Sequence, residues 1–302
     1  MIRKRFVKWT GPILATEDRG DGVLGDKMTR AGRQAASEKR RARGLVDSSR
    51  KYYEYTDEQY DRSTAIHESA HMIVAYAVGT TASLKANIAI SVLLNGSIQG
   101  FARHEIKGIA HGDNAVISFS GAIGEREAFP NAVSRLYIGD ASNILYGCVC
   151  AYDPQIDVKI KAYQSLDKSE SCARKLAHES IMSEHGDSNF FMASILSDEY
   201  IRLSESPRKS ELYYILKPYH DAIHALVNFS SEELRANGCL EYFKDLDGFE
   251  FLAPIAIRSW KLVRENFPAI TALADEIQIR KQMSGKEVHE FVTNLLRQEV
   301  TA

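Results

Sequence analysis

The sequence predicts a mainly α-helical fold with one small β-hairpin or sheet. Apolar residues recur at helical spacing over most of the chain after Tyr52. A single pair of apolar, β-branched runs flanks the turn-forming dipeptide Asn95-Gly96. The chain has 302 residues, of which 44% are hydrophobic and 26% are charged. This composition is typical of a globular protein of one large or two small domains.

Residues 1–51 are predicted to form a flexible basic arm. From Gly11 to Arg50 the chain is rich in glycine, arginine and lysine and has few large apolar residues, so it lacks the material for a packed core. The cluster Lys39–Arg43 would suit nucleic acid or an acidic partner. A solvated arm explains the same residues more simply, and nucleic-acid binding is therefore not expected.

Charge and cysteine content favour a cytoplasmic protein. The net charge of -2 and the pI near 6.5 give no overall attraction to nucleic acid or to anionic membranes. The four cysteines form no CxxC pair and no dense disulfide framework, which indicates a reducing compartment. No signal peptide is recognised before Glu17. Polar residues interrupt the apolar region His71–Leu94, so no membrane-spanning segment of about 20 residues is expected.

Residues 52–302 are predicted to form one helical metallopeptidase-like domain. This domain begins with a helix that contains the motif HExxH. Thr56 is a suitable N-cap, and acidic residues follow it in the first turn. Gly79 is expected to end the helix. The motif lies in the segment Thr64–Tyr76, whose other positions are mostly apolar or small, and this pattern indicates a buried helix.

The HExxH motif predicts a zinc site with hydrolytic chemistry. Residues four apart share a helix face, so the imidazoles of His67 and His71 are expected to reach one ion. Glu68 is then placed to take a proton from a metal-bound water, whose pKa zinc lowers to about 7. The reaction indicated is amide hydrolysis. A structural pair of buried histidines is the simpler alternative.

A β-hairpin is predicted directly after the motif helix. Its strands would be Ile88–Leu94 and Ser97–Ala102, joined through Asn95-Gly96. An exposed strand at this place would bind an extended peptide by backbone pairing, whatever the side chains of that peptide.

The rest of the chain is expected to be helical. The predicted segments are Ala115–Phe129 ending at Pro130, Ser142–Ala151, Val158–His185, Phe190–Glu205, Ser210–Asn228 and Pro254–Arg280. Gly121 and Gly124 would permit close helix packing. Residues 153–250 are interpreted as a helical elaboration without a recognisable site. His220 and His224 are also four apart, but no glutamate accompanies them, and they are interpreted as packing or surface histidines.

Several further segments carry a family resemblance. They are Ser97–Phe101, Gly121–Glu127, Gly139–Ile144 and Ala269–Val288. Together with the HExxH helix, they resemble the peptidase domain of the FtsH family of zinc metallopeptidases over about half of the chain. The resemblance implies an FtsH peptidase-like helical fold, and it places Glu125 on the acidic position of the family's Gly-Arg-Ala-Ala-Glu-Glu helix.

The resemblance also implies that a third zinc ligand lies in the segment Gly139–Ile144. Gapless alignment puts Asn143 on the family's aspartate, although asparagine is a weak zinc ligand. Asp140 lies three residues earlier and, at the start of a helix, falls near the same face. The third ligand is therefore expected to be Asp140 or Asn143.

The function expected is that of an ATP-independent zinc metalloendopeptidase that cleaves flexible protein segments, with Glu68 as general base and zinc as cofactor. Members of the FtsH family carry an ATPase module and membrane helices, whereas this sequence has neither and lacks a phosphate-binding loop. The expected partner is a polypeptide substrate, without ATP or membrane, and the chain is compatible with a homo-oligomer. The alternative is a catalytically degenerate peptidase-like protein that binds or regulates a partner, which Asn143 at the ligand position favours.

Overall fold

The computed structural model describes residues 57–79, 90–95, 99–104, 109–130, 138–156, 188–196, 210–229 and 243–301, with a few isolated residues between 158 and 204. This part of the chain is mainly helical, as predicted. Its helices are α1 (Asp57–Val78), α2 (His111–Ala128), α3 (Ile138–Tyr152), α4 (Asn189–Leu196), α5 (Glu211–Asn228), α6 (Phe249–Glu265), α7 (Phe267–Arg280) and α8 (Gly285–Thr301). Its strands are β1 (Ile90–Asn95), β2 (Gln99–His104) and β3 (Gln282–Met283).

Helix α1 carries the HExxH motif and ends where the sequence predicts. Its last residue is Val78, and the backbone N–H of Gly79 closes the final turn on the carbonyl of Ala75 at 3.1 Å. The predicted N-cap Thr56 lies outside the described residues, as do the predicted arm of residues 1–51 and its basic cluster. Most of the motif helix is buried, so its histidines face the protein interior.

Helix α2 lies at the centre of the fold and packs against α1, α3, α5 and α6. It begins at His111, four residues before the predicted start, and ends at Ala128. Its C-cap Phe129 is non-helical because the following Pro130 disfavours the α conformation in the residue before it. From Ala115 to Arg126 every residue of α2 is buried, so α2 is the inner helix on which the site is built.

The strands form one small antiparallel sheet in the order β2-β1-β3. Strands β1 and β2 pair from Ile90 with His104 to Asn95 with Gln99, which confirms the predicted antiparallel pair. The predicted register is wrong, because Asn95 lies in β1 opposite Gln99 and not in a two-residue turn, and both strands extend further toward the C-terminus than predicted. The predicted turn residue Gly96 lies outside the described residues. Strand β2 is an edge strand of this sheet and packs against α1, beside the HExxH motif.

The C-terminal end of α5 is fixed by side chains from two other helices. Its last carbonyls have no partner within the helix. The indole N–H of Trp260 on α6 donates to the carbonyl of Leu226 at 2.8 Å, and the Nε of Arg126 on α2 donates to that of Asn228, also at 2.8 Å. These buried bonds join α5 to the central helix and to α6.

One predicted helix, Pro254–Arg280, is wrong because this segment forms two helices. Helix α6 begins five residues earlier, at Phe249, and the chain breaks at Asn266 before α7. Pro268 has no N–H to donate to the carbonyl of Arg264, and its ring would clash with that carbonyl, which favours a break of the helix at this place. At the second position of α7 the same proline is well tolerated.

Two other predicted helices fall partly outside the described residues. These are most of Val158–His185 and the part of Phe190–Glu205 that follows α4. Helix α5 matches its prediction, and Ser210 caps it by accepting a hydrogen bond from the N–H of Tyr213. In the described part of the chain, no helix is both long enough and apolar enough to cross a membrane.

Replacing Gly248 is expected to destabilise the protein. Gly248 caps α6 with φ 78°, and an added Cβ would lie 2.3 Å from the ring of Phe190. Left-handed strain and overpacking together predict that Gly248→Ala lowers the free energy of unfolding by at least about 2 kcal/mol. Gly139→Ala is the matched control, since Gly139 is exposed with no atom within 4 Å of the added carbon. Urea unfolding of both variants tests this, and equal stabilities would contradict it.

Candidate metal centre

Three side chains from two helices converge beside the central helix. His67 and His71 come from α1, and Asp140 comes from the first turn of α3. The two Nε2 atoms lie 3.1 Å apart. The carboxylate of Asp140 places Oδ2 3.1 Å from Nε2 of His67 and Oδ1 3.5 Å from Nε2 of His71. Among the described residues, this is the group of histidine, cysteine and acidic side chains whose ligand atoms are arranged to hold a metal ion.

Hydrogen bonds to α2 fix which nitrogen of each imidazole faces this group. The Nδ1–H of His67 donates to Oε1 of Glu125 at 2.7 Å, and the Nδ1–H of His71 donates to the carbonyl oxygen of Ile117 at 2.7 Å. A carboxylate and a carbonyl can only accept, so the proton of each neutral imidazole lies on Nδ1. Both Nε2 lone pairs are therefore available to a cation, as in metal-binding histidines with oriented rings.

The spacing of the three groups fits a tetrahedral zinc ion. With ligand bonds of about 2.0–2.1 Å, the edge of a tetrahedron is roughly 3.3 Å. The observed separations of 3.1, 3.1 and 3.5 Å lie close to that edge. Two imidazoles and one carboxylate are a ligand set of the kind that catalytic zinc sites use with a fourth, open position. The residues present therefore fit the ion that the motif predicts.

The electrostatics of the site favour a bound cation. His67 is buried, which disfavours the imidazolium, yet its hydrogen bonds to Asp140 and Glu125 raise its pKa to about 10. Without a metal ion, a proton on His67 therefore supplies positive charge between the carboxylates. A zinc ion would have to replace the proton on Nε2, since only the deprotonated nitrogen is a ligand.

Glu68 lies beside the ligand group, as the motif predicts. It is buried to 7% exposure, and this burial raises the pKa of its carboxyl to about 7, with further effects from His67, Asp140 and Glu125. The backbone N–H of Ala102 in β2 donates to the Glu68 carboxylate, which opposes part of that rise in pKa. Glu68 thus lies where the HExxH helix meets the edge strand, and in the metal-free site burial shifts its pKa toward neutral pH.

The two candidates for the third ligand occupy different surroundings. Asp140 is partly buried and contacts both histidines, whereas Asn143 is exposed on the same helix. Helix α3 begins at Ile138, two residues before Asp140, and this start directs the aspartate toward α1. The structure therefore brings Asp140, and not Asn143, to the histidines.

The other histidine pair takes no part in this group. The His220 ring stacks on Tyr200 with centroids 4.0 Å apart, and His224 contacts the amide of Asn228 at 3.3 Å. The sequence did not predict two groups that contact the histidines, the carbonyl of Ile117 and the carboxylate of Glu125. Their spacing of eight residues, with Gly121 midway, is the signal that places them on one face of α2.

Compared with known protein families and with curated protein sequences, the chain matches no family model and no curated sequence. The resemblance to the FtsH peptidases therefore stays a prediction that rests on the motifs.

Replacing Glu125 is expected to weaken zinc binding without removing a ligand. Glu125→Gln keeps the side-chain shape but removes the charge that holds Nδ1 of His67, and losses of this kind cost about 10–100-fold in metal affinity. The measurement is a zinc titration against a chromophoric chelator. Glu127→Gln, two residues along α2 at a surface ion pair with Arg264, is the control and should bind zinc like the wild type. Equal affinities of the two variants would contradict the assigned role.

Asp140 and Asn143 are distinguished by their separate replacement. Asp140→Ala should abolish stoichiometric zinc binding, because two imidazoles alone are a weak site. Asn143→Ala should leave the zinc content at the wild-type level, since its side chain is exposed. Elemental analysis of the purified variants provides the test, and the reverse pattern would assign the third ligand to Asn143.

Proposed function

We propose that this chain is a zinc-dependent endopeptidase of FtsH peptidase-like fold that hydrolyses peptide bonds without ATP. The observation that carries the proposal is the convergence of two Nε2 atoms and one carboxylate at tetrahedral spacing, with Glu68 on the same turn of α1. The resemblance adds support, since it expects the third ligand in the segment Gly139–Ile144, where Asp140 lies.

In this proposal His67, His71 and Asp140 would hold the ion. A zinc ion bound there would polarise the scissile carbonyl and lower the pKa of a bound water to about 7. The protein's own groups do the rest of the work. Glu125 and the carbonyl of Ile117 keep both imidazoles in the tautomer that presents Nε2.

Glu68 is the proposed general base. Its carboxylate accepts the proton of the attacking water as the oxygen adds to the carbonyl carbon, and then passes that proton to the leaving amine nitrogen as the C–N bond breaks. A base is most effective when its pKa lies near the working pH. In the metal-free site burial raises the pKa of Glu68 to about 7. A zinc ion beside it would favour the carboxylate, which is the form that accepts the proton. The N–H of Ala102 fixes the carboxylate on the side facing β2.

The edge strand β2 supports a polypeptide as the substrate. Ala102 lies opposite Val92 of β1. Because its N–H donates to Glu68 and not to β1, the backbone polar groups of Ala102 face the outer edge of the sheet. Backbone groups at Gly100 and His104, two residues to either side, share that edge. An extended peptide paired along β2 would present its backbone next to the metal centre, and this mode of recognition requires a flexible segment.

Replacing the proposed base separates catalysis from metal binding. Glu68→Gln should lower the hydrolysis of fluorescently labelled, unfolded casein by at least about 100-fold, the usual contribution of a general base. It should keep the zinc content of the wild type, because no ligand is changed. Glu265→Gln at the surface of α6 is the control and should retain full activity.

Three outcomes would overturn the proposal. Full activity of Glu68→Gln would remove Glu68 from the reaction. A wild-type protein that takes up no zinc, or that binds zinc yet cleaves no unfolded substrate, would favour the non-catalytic, partner-binding alternative.

A further inference from the structure

We propose that Gly121 is a positioning residue for the metal centre: the absence of a side chain at this place in α2 allows the two imidazoles to converge on one ion. The proposal rests on the proposed zinc site and adds to it the residue that makes room for the ligands. It assigns to Gly121 a role different from that of the neighbouring Gly124, although both face α1.

Three positions of α2 form one stripe against the HExxH helix. Ile117, Gly121 and Glu125 are four residues apart and so lie on the same helix face. The carbonyl of Ile117 accepts a hydrogen bond from Nδ1 of His71, and the carboxylate of Glu125 accepts one from Nδ1 of His67. Gly121 lies midway between these two anchors, directly against the metal-facing nitrogens.

A side chain at position 121 would compete for the space of the ligand atoms. A Cβ built on Gly121 would lie 2.5 Å from Nε2 of His71 and 2.6 Å from Nε2 of His67. Ordinary contacts of a Cβ begin at 3.4 Å, so relief of the shorter contact requires a displacement of about 0.9 Å (3.4 Å less 2.5 Å). Metal–ligand distances tolerate only about 0.2 Å.

The imidazoles cannot make that displacement freely. Each ring is anchored at Nδ1 by a 2.7 Å hydrogen bond, and both histidines are buried. Moving Nε2 away from α2 therefore either breaks an anchor or separates the ligand atoms from one another. Outside α2 itself, the three atoms nearest to the added carbon all belong to the imidazole rings of His67 and His71.

Gly124 provides the comparison within the same helix. A Cβ on Gly124 would lie 2.8 Å from the Cβ of Ala70 and 3.5 Å from Cγ2 of Ile66, and no ligand atom is among its three nearest contacts. A substitution there disturbs the packing of α1 on α2. The substitution at Gly121 disturbs the ligands themselves, so the two should differ in their effect on zinc affinity.

The test compares zinc affinity in three glycine variants. Gly121→Ala should weaken zinc binding by about 100-fold, the upper end of the range for a disturbed ligand environment. The cobalt-substituted variant should also lack the absorption bands of tetrahedral Co²⁺. Gly124→Ala should lower the melting temperature in EDTA but keep zinc affinity within about threefold. Gly112→Ala, whose added carbon makes only an ordinary 3.6 Å contact with Ala151, should match the wild type in both measurements.

A stability cycle tests the contact without metal. In EDTA, Gly121→Ala should lower the melting temperature of the wild type but have a much smaller effect in the His67→Ala/His71→Ala background, where the clashing rings are gone. If Gly121→Ala alone fails to fold, folding of the triple variant supports the same contact. An equal penalty in both backgrounds would overturn it.

The outcomes separate this inference from the proposed function. Wild-type zinc binding with unchanged affinity in Gly121→Ala overturns only the role of Gly121. Equal weakening by Gly121→Ala and Gly124→Ala also overturns it, because helix displacement would then be the cause. Absence of zinc from the wild type overturns the proposed function together with this role.

Discussion

The close contact between α1 and α2 is the constraint on which the site depends. Small residues on α2 make this contact possible. Gly124 leaves room for the side chain of Ala70, and Gly121 leaves room for the imidazoles of His67 and His71. At this separation α2 reaches the histidines directly, so Ile117 and Glu125 fix their Nδ1 atoms with short hydrogen bonds. A larger gap would have to be filled by side chains or water, and the rings would then lose the backbone and carboxylate anchors that orient them.

The close packing of α1 on α2 also brings several charged side chains together. Glu125 is fully buried and Glu68 and Asp140 lie nearby, so three carboxylates surround two imidazoles in a poorly solvated space. Buried charges are tolerated only when paired. Hydrogen bonds to Asp140 and Glu125 raise the pKa of His67 despite its burial, so the group favours a positive charge. A proton on His67 supplies such a charge, and a divalent ion on the two Nε2 atoms would supply it too, with Asp140 within reach as a third ligand.

The sequence predicted those features that depend on local spacing. The four-residue interval of His67 and His71, the helix end at Gly79 and the end of α2 before Pro130 all follow from helix geometry and backbone chemistry. The choice between Asp140 and Asn143 does not follow from local spacing, because it depends on where α3 begins and how α3 packs against α1. The break at Asn266 was also missed, since the apolar pattern continues through it and Pro268 can either end one helix or begin the next.

Strand β2 connects the candidate metal centre to the sheet edge at which the proposed peptide substrate would pair. The N–H of Ala102 is directed at the carboxylate of Glu68, so it is not available to a peptide carbonyl while that bond is made. A peptide paired along β2 must therefore rely on the outer backbone groups of Gly100 and His104, which flank Ala102 at the spacing of an antiparallel ladder. Pairing at those positions would immobilise the strand that holds the base. In the proposed peptidase, substrate binding and the placement of Glu68 would therefore be coupled through the backbone amide of Ala102.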